Sequence, residues 1–132
     1  MNKRNIVRLD TVPISFSLIG ISSHENDYRV SWSINEQMGL AFAQSDSLLA
    51  HAGNEFACFV HEDESRKILL VSNRCDNGFL LDKYKNFDFF LKFDGELNET
   101  EMNAWLRSLR QVPLVSAVVS IPMTRQILQI LG

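Results

Sequence analysis

The chain reads as a single α+β domain (residues 1–132), a mainly antiparallel sheet with helices packed on one face. Three observations predict this. Segments with period-two alternation recur along the sequence, most clearly Phe87 to Phe93 and the valine-rich Leu114 to Ile121. Helical patterns with capping residues lie between and after them, most clearly from Asn98 to Arg110. Finally, 132 residues with 45% hydrophobic content suffice for one core without disulfides or metals.

Pro13 to Ile21 opens as a strand, with Ile14, Phe16 and Leu18 alternating against Ser15 and Ser17. Ser22 and Glu25 then offer a capping box. The next segment supports two readings. Tyr28, Val30, Trp32 and Ile34 alternate as in a strand, whereas Val30, Ile34 and Met38 fall at helical spacing before the natural stop Gly39. The cap and the stop together predict a helix over 24–38, with Tyr28 and Trp32 off its apolar stripe and in need of another surface. Leu40 to Ala43 reads as a short strand and Gln44 to Asn54 as polar and irregular. Glu55 to Val60 and Lys67 to Ser72 form a hairpin around the polar run His61 to Arg66. Asn77-Gly78 marks a turn.

From Phe87 the residues alternate again, with Phe87, Phe89, Leu91 and Phe93 on one face and Asp88, Phe90 and Lys92 on the other. Asn98 caps the next helix with Glu101 in the box position. Met102, Trp105, Leu106 and Leu109 form its apolar stripe, and Pro113 ends it. A strand to Ile121 and an amphipathic helix from Met123 to Leu131 complete the chain. The order of elements resembles a ferredoxin-like split βαβ arrangement with an inserted hairpin.

The stretch from Leu81 to Gly95 also resembles the bacterial IPExxxVDY family, whose signature would occupy Leu81 to Phe89. Phe87-Asp88-Phe89 stands where the family has Val-Asp-Tyr, and Leu81 where it has Ile. Asp82 and Lys83 replace the family's Pro and Glu. Leu18 to Ile21, Asp27 to Asn35 and Leu70 to Asn73 extend the resemblance along the chain. It implies a small bacterial protein and brings no agreed activity or site residues.

A formal charge of −3 argues against nucleic-acid binding, which needs a concentrated basic surface. Lys3, Arg4 and Arg8 form only a small basic group. No apolar run approaches the ~18 residues of a membrane span, and no apolar segment follows the first basic residues as in a signal peptide. The two cysteines, Cys58 and Cys75, read as free thiols of a cytoplasmic protein. No phosphate loop, nucleophile elbow, paired-cysteine or zinc-helix motif is present, and no cofactor is expected.

Several residues could still carry chemistry. His61-Glu-Asp-Glu64 is the densest group of potential metal ligands, but it lacks EF-hand spacing and reads as a solvated hairpin tip. His24, Glu25 and Asp27 could move protons, or could complement a helix dipole. Cys58 would need a histidine as partner, and His61 points to the opposite strand face. Asp88, flanked by Phe87, Phe89 and Phe90, could be a general acid or base through a raised pKa, or a paired structural carboxylate.

Phe90 on an open sheet face, with the spare Tyr28 and Trp32, predicts a homodimeric, non-catalytic module that also engages another protein. A small-molecule sensor with a pocket at Tyr28, Trp32 or Asn35 is the alternative, and an enzyme built on Asp88 or the histidines the third reading.

Overall fold

The computed structural model describes residues 15–50 and 53–132. The basic group at Lys3, Arg4 and Arg8 and the first residues of the opening strand lie outside this range. Strand β1 spans Phe16–Ser22 and helix α1 Asp27–Met38. Strands β2 (Ala43–Leu49), β3 (Glu55–Glu62) and β4 (Lys67–Ser72) follow. A small ladder of β5 (Arg74–Cys75) and β6 (Gly78–Phe79) leads to a 3-10 turn at Asp82–Tyr84. Strand β7 (Phe89–Asp94), helix α2 (Glu99–Arg110), strand β8 (Ala117–Ile121) and helix α3 (Arg125–Leu131) end the fold.

Among the described residues six strands form one sheet in the order β2-β3-β4-β7-β1-β8, with every neighbouring pair antiparallel. Both β1 and β4 run antiparallel to β7, so they run alongside each other in one direction with β7 between them. By the same geometry β7 and β8 are parallel to each other with β1 between, and α2 connects them.

Local chemistry explains most boundaries. Asn26, not Ser22, caps α1. Its side chain accepts the Arg29 N–H at 3.0 Å, because Ser22 is still the last residue of β1. Glu25 instead pairs with Arg29 at 2.8 Å. Gly39 ends the helix in the left-handed conformation, φ 66°. In α2 the box expected at Asn98 and Glu101 is fully made. The strand expected at Leu40 to Ala43 and the irregular stretch after it are both corrected, since strand pairing begins at Ala43 and runs to Leu49. This strand is the sheet's outer edge and is mostly exposed, so nothing selects an apolar alternation. Its register also shifts between Ser45 and Leu48, which breaks what alternation remains.

Both faces of the sheet are covered, although a single helical layer was expected. Val30 and Ile34 of α1 and Leu106 and Leu109 of α2 pack with Ile19, Ile21, Leu70, Phe89, Leu91 and Phe93. On the opposite face Ile127 and Leu131 of α3, with Leu80 and Leu81, pack with Leu18, Phe56, Val71 and Phe90. Phe90 is therefore fully buried and is not an open docking residue. Phe87 also departs from expectation. Its N–H donates to the Tyr84 carbonyl at 3.0 Å, so the chain is still leaving the turn, and its side chain packs in the second cluster. It lies over Gly20, where a Cβ would come within 2.9 Å of the Phe87 ring.

Candidate functional site

Helix α1 projects Tyr28 and Trp32 from one face, one turn apart, and they are 58% and 63% exposed. They are not buried against a second surface, as the helical reading required. Tyr28 packs edge-on against Phe59, with ring centroids 5.6 Å apart, and its hydroxyl donates to Gln44 Oε1 at 2.7 Å. This contact sets Tyr28 beside β2, whose outer edge has no strand partner among the described residues. Asn35 is spent differently. Its Oδ1 accepts the Phe42 N–H at 2.8 Å and its Nδ2 donates to the Phe42 carbonyl at 3.0 Å. That closed pair fixes the connection from α1 to β2. The clefts described below are lined by side chains other than Tyr28, Trp32 and Asn35.

Asp88 lies immediately before β7 at a junction of three strand ends. Its Oδ2 accepts the Ser23 N–H at 2.8 Å, and its Oδ1 receives Arg74 through Nε and Nη2, both at 2.8 Å. Its backbone N–H donates to Ile21 and its carbonyl accepts from Asn73. A shallow cleft of about 500 Å³ opens here, lined also by His24, Glu25 and Asp27. The carboxylate is committed to ionic and backbone partners. Among the described residues no hydrogen bond joins His24 to any carboxylate.

His61 and Cys58 also resolve into internal roles. The Ala41 N–H donates to His61 Nδ1 at 3.0 Å, so Nε2 carries the proton and donates to Asp63 Oδ2 at 3.1 Å. Backbone N–H groups of Ser65 and Arg66, then His61, hold the Asp63 carboxyl below its ordinary pKa. Cys58 faces the other cluster, where burial pushes its thiol pKa up and makes it a poor nucleophile. Among the described residues no three His, Cys, Asp or Glu side chains are grouped to hold a metal ion. No helix among them is long and apolar enough to cross a membrane.

Sequence reasoning passed over a role for Asn73. Asn73 is completely buried and its side chain makes three hydrogen bonds across the loop before β7. An asparagine at the end of an apolar strand, just before a turn, is the signal that could have found it. No family model matches the chain and no curated protein is significantly similar to it, so the resemblance to the IPExxxVDY family rests on the quoted residues alone.

Proposed function

We propose that the chain is a non-catalytic homodimeric interaction module whose docking surface is Tyr28 and Trp32 of α1 with the adjacent edge of β2. The exposure of these two aromatics carries the reading, because large rings left in water beside a strand edge that is unpaired among the described residues mark an interface. The occupant that fits is a second copy. Tyr28, Trp32 and Gln44 are uncharged; of the charges beside them, Arg29 pairs with Glu25, whereas Asp27 next to Tyr28 and Glu36 one turn beyond Trp32 are acidic. The patch meets itself across a two-fold axis where the acidic Asp27 and Glu36 of the two copies are kept apart. Two antiparallel β2 edges would continue the sheet from one protomer into the next.

We further infer that the framework is a ferredoxin-like split βαβ fold with the β2–β3 hairpin inserted before β4. The support is the order β8-β1-β7-β4, in which each of the two crossovers spans one intervening strand.

Sedimentation equilibrium tests the dimer directly. The wild-type chain should reach twice its 15.1 kDa mass. Trp32→Ala should weaken association by about 30-fold or more, equivalent to the roughly 2 kcal/mol of a buried aromatic anchor. A monomer at all concentrations refutes the module as stated, and a dimer indifferent to both Tyr28→Ala and Trp32→Ala refutes this surface.

A further inference from the structure

The described residues roof the face of the sheet opposite Tyr28 and Trp32 over only part of its length. Leu80, Leu81 and α3 cover the region around Val71 and Phe90. Further along the same strands the face opens into a groove of about 490 Å³, within the roughly 300–1,000 Å³ of small-molecule sites. Its floor is set by strand register. Val60 of β3 stands opposite Leu69 of β4, which stands opposite Lys92 of β7. Lys67 and Asp94 lie two residues further along β4 and β7 on this face, and Leu48 lines the side formed by β2.

Lys92 is out of keeping with that floor. It is half-buried, its Nζ lies 4.9 Å from the centroid of the Phe16 ring, and burial lowers its pKa against the opposing pull of Asp94. Among the described residues no hydrogen bond or ion pair engages the ammonium of Lys92 or Lys67. A desolvated cation without a protein acceptor is stabilised by an anion brought from outside. The apolar floor beside it suits a hydrocarbon tail, and Asp46 and Asp94 at the margin disfavour a multiply charged ligand.

We propose that this groove binds a small amphipathic monocarboxylate, with its head group against Lys92 and Lys67 and its chain over Leu69, Val60 and Leu48. Calorimetric titration of the full-length chain with decanoate tests it, with decanol as the uncharged comparison. Saturable binding of decanoate to one site is expected, with decanol at least about tenfold weaker. Lys92→Met keeps the apolar stem and should also lose about tenfold, whereas Lys83→Met, on the exposed 3-10 turn, should leave binding unchanged. The proposal is overturned by absence of saturable decanoate binding or by decanol binding as tightly as decanoate. Undiminished affinity in a folded Lys92→Met chain, or an equal loss in Lys83→Met, overturns the assignment as well. The decanol comparison uses the wild-type protein, so it decides the question even if Lys92→Met does not fold.

Discussion

Replacing Asn73 with alanine tests how the loop between β6 and β7 is held. The Asn73 side chain is wholly inaccessible to solvent. Its Nδ2 donates to the Tyr84 carbonyl at 3.0 Å and to the Phe87 carbonyl at 2.9 Å, and its Oδ1 accepts the Leu81 N–H at 2.8 Å. Alanine keeps the two backbone bonds, from Asn73 to Asp88 and from Leu80 to Asn73. It leaves the Leu81 N–H and the Phe87 carbonyl without a partner, while the Tyr84 carbonyl still accepts the Phe87 N–H. A buried group left unpaired costs about 1–3 kcal/mol, and carbonyls recruit water more readily than a buried N–H does. The expected loss is thus about 3 kcal/mol, a large share of the roughly 5–15 kcal/mol that holds a domain of this size. Urea unfolding should show a lower midpoint with an unchanged slope. Hydrogen exchange at Leu81 should accelerate more than exchange in α2, since the damage is local. Asn73→Asp, which turns the donating amide into an acceptor facing two carbonyl oxygens, should be no better than alanine. A loss below about 1 kcal/mol in Asn73→Ala would refute the reasoning and assign the loop's order to the packing of Leu80 and Leu81 instead.

Gly20→Ala should lower the melting temperature, because the new Cβ would come 2.9 Å from the Phe87 ring and 3.1 Å from Ile121. Overpacking of that kind costs about 1–3 kcal/mol, measurable by calorimetry. Asp88→Asn should destabilise more than Arg74→Gln in urea melts. Asp88 also holds the Ser23 N–H, whereas Arg74 is largely exposed and its ion pair is screened. Lys92→Met should be more stable than wild type at neutral pH. Burial lowers the Lys92 pKa in the folded chain, against Asp94 and with Lys67, so below that value folding bears the full desolvation penalty. As pH rises toward the unfolded value of about 10.4, the native state releases its proton first, and wild-type stability climbs relative to the variant. The gap between the two should therefore narrow in alkaline urea melts, and a gap independent of pH would contradict the cause.

The sequence was most legible where one physical signal acted alone. The capping box at Asn98 and the i, i+3, i+4, i+7 stripe of Met102 to Leu109 specify α2 without any help from tertiary contacts. The alternation of Phe89, Leu91 and Phe93 assigns a buried face because a side chain's direction on a strand is fixed by parity. Along Tyr28 to Ile34 two periods coexist. There the helix is specified by Asn26 and Gly39 at its ends, while Tyr28 and Trp32 simulate a strand because an exposed aromatic looks apolar in sequence. Strand β2 was illegible because an edge has no second neighbour to impose a pattern, and its register shift inverts the alternation midway. The roof over Phe90 was illegible for another reason. It is built by Leu80, Leu81 and α3, which are remote from Phe90 in different ways along the chain, and only the fold brings them together. The candidate surfaces follow the same division. Tyr28 and Trp32 were visible as unassigned aromatics, whereas the groove at Lys92 exists only through the register of four strands.

Phe90 and Lys92 make the relation between the sheet and its covering elements concrete. They sit two residues apart on β7, on the same face, and parity alone gives them the same prospects. Leu80, Leu81 and Ile127 share a cluster with Phe90, so its ring is excluded from water. The groove begins at Lys92, and an ammonium stands where the apolar face would otherwise continue into solvent. A lysine there limits exposed hydrocarbon at the end of the roof, which is a sufficient reason for its presence if nothing binds. Its half-buried position above the Phe16 ring goes further, because a lysine serving only solubility has no cause to give up hydration. The stability gained in Lys92→Met and the decanoate affinity lost in the same variant separate these roles. A purely solubilising lysine predicts the first without the second, whereas a binding lysine requires both.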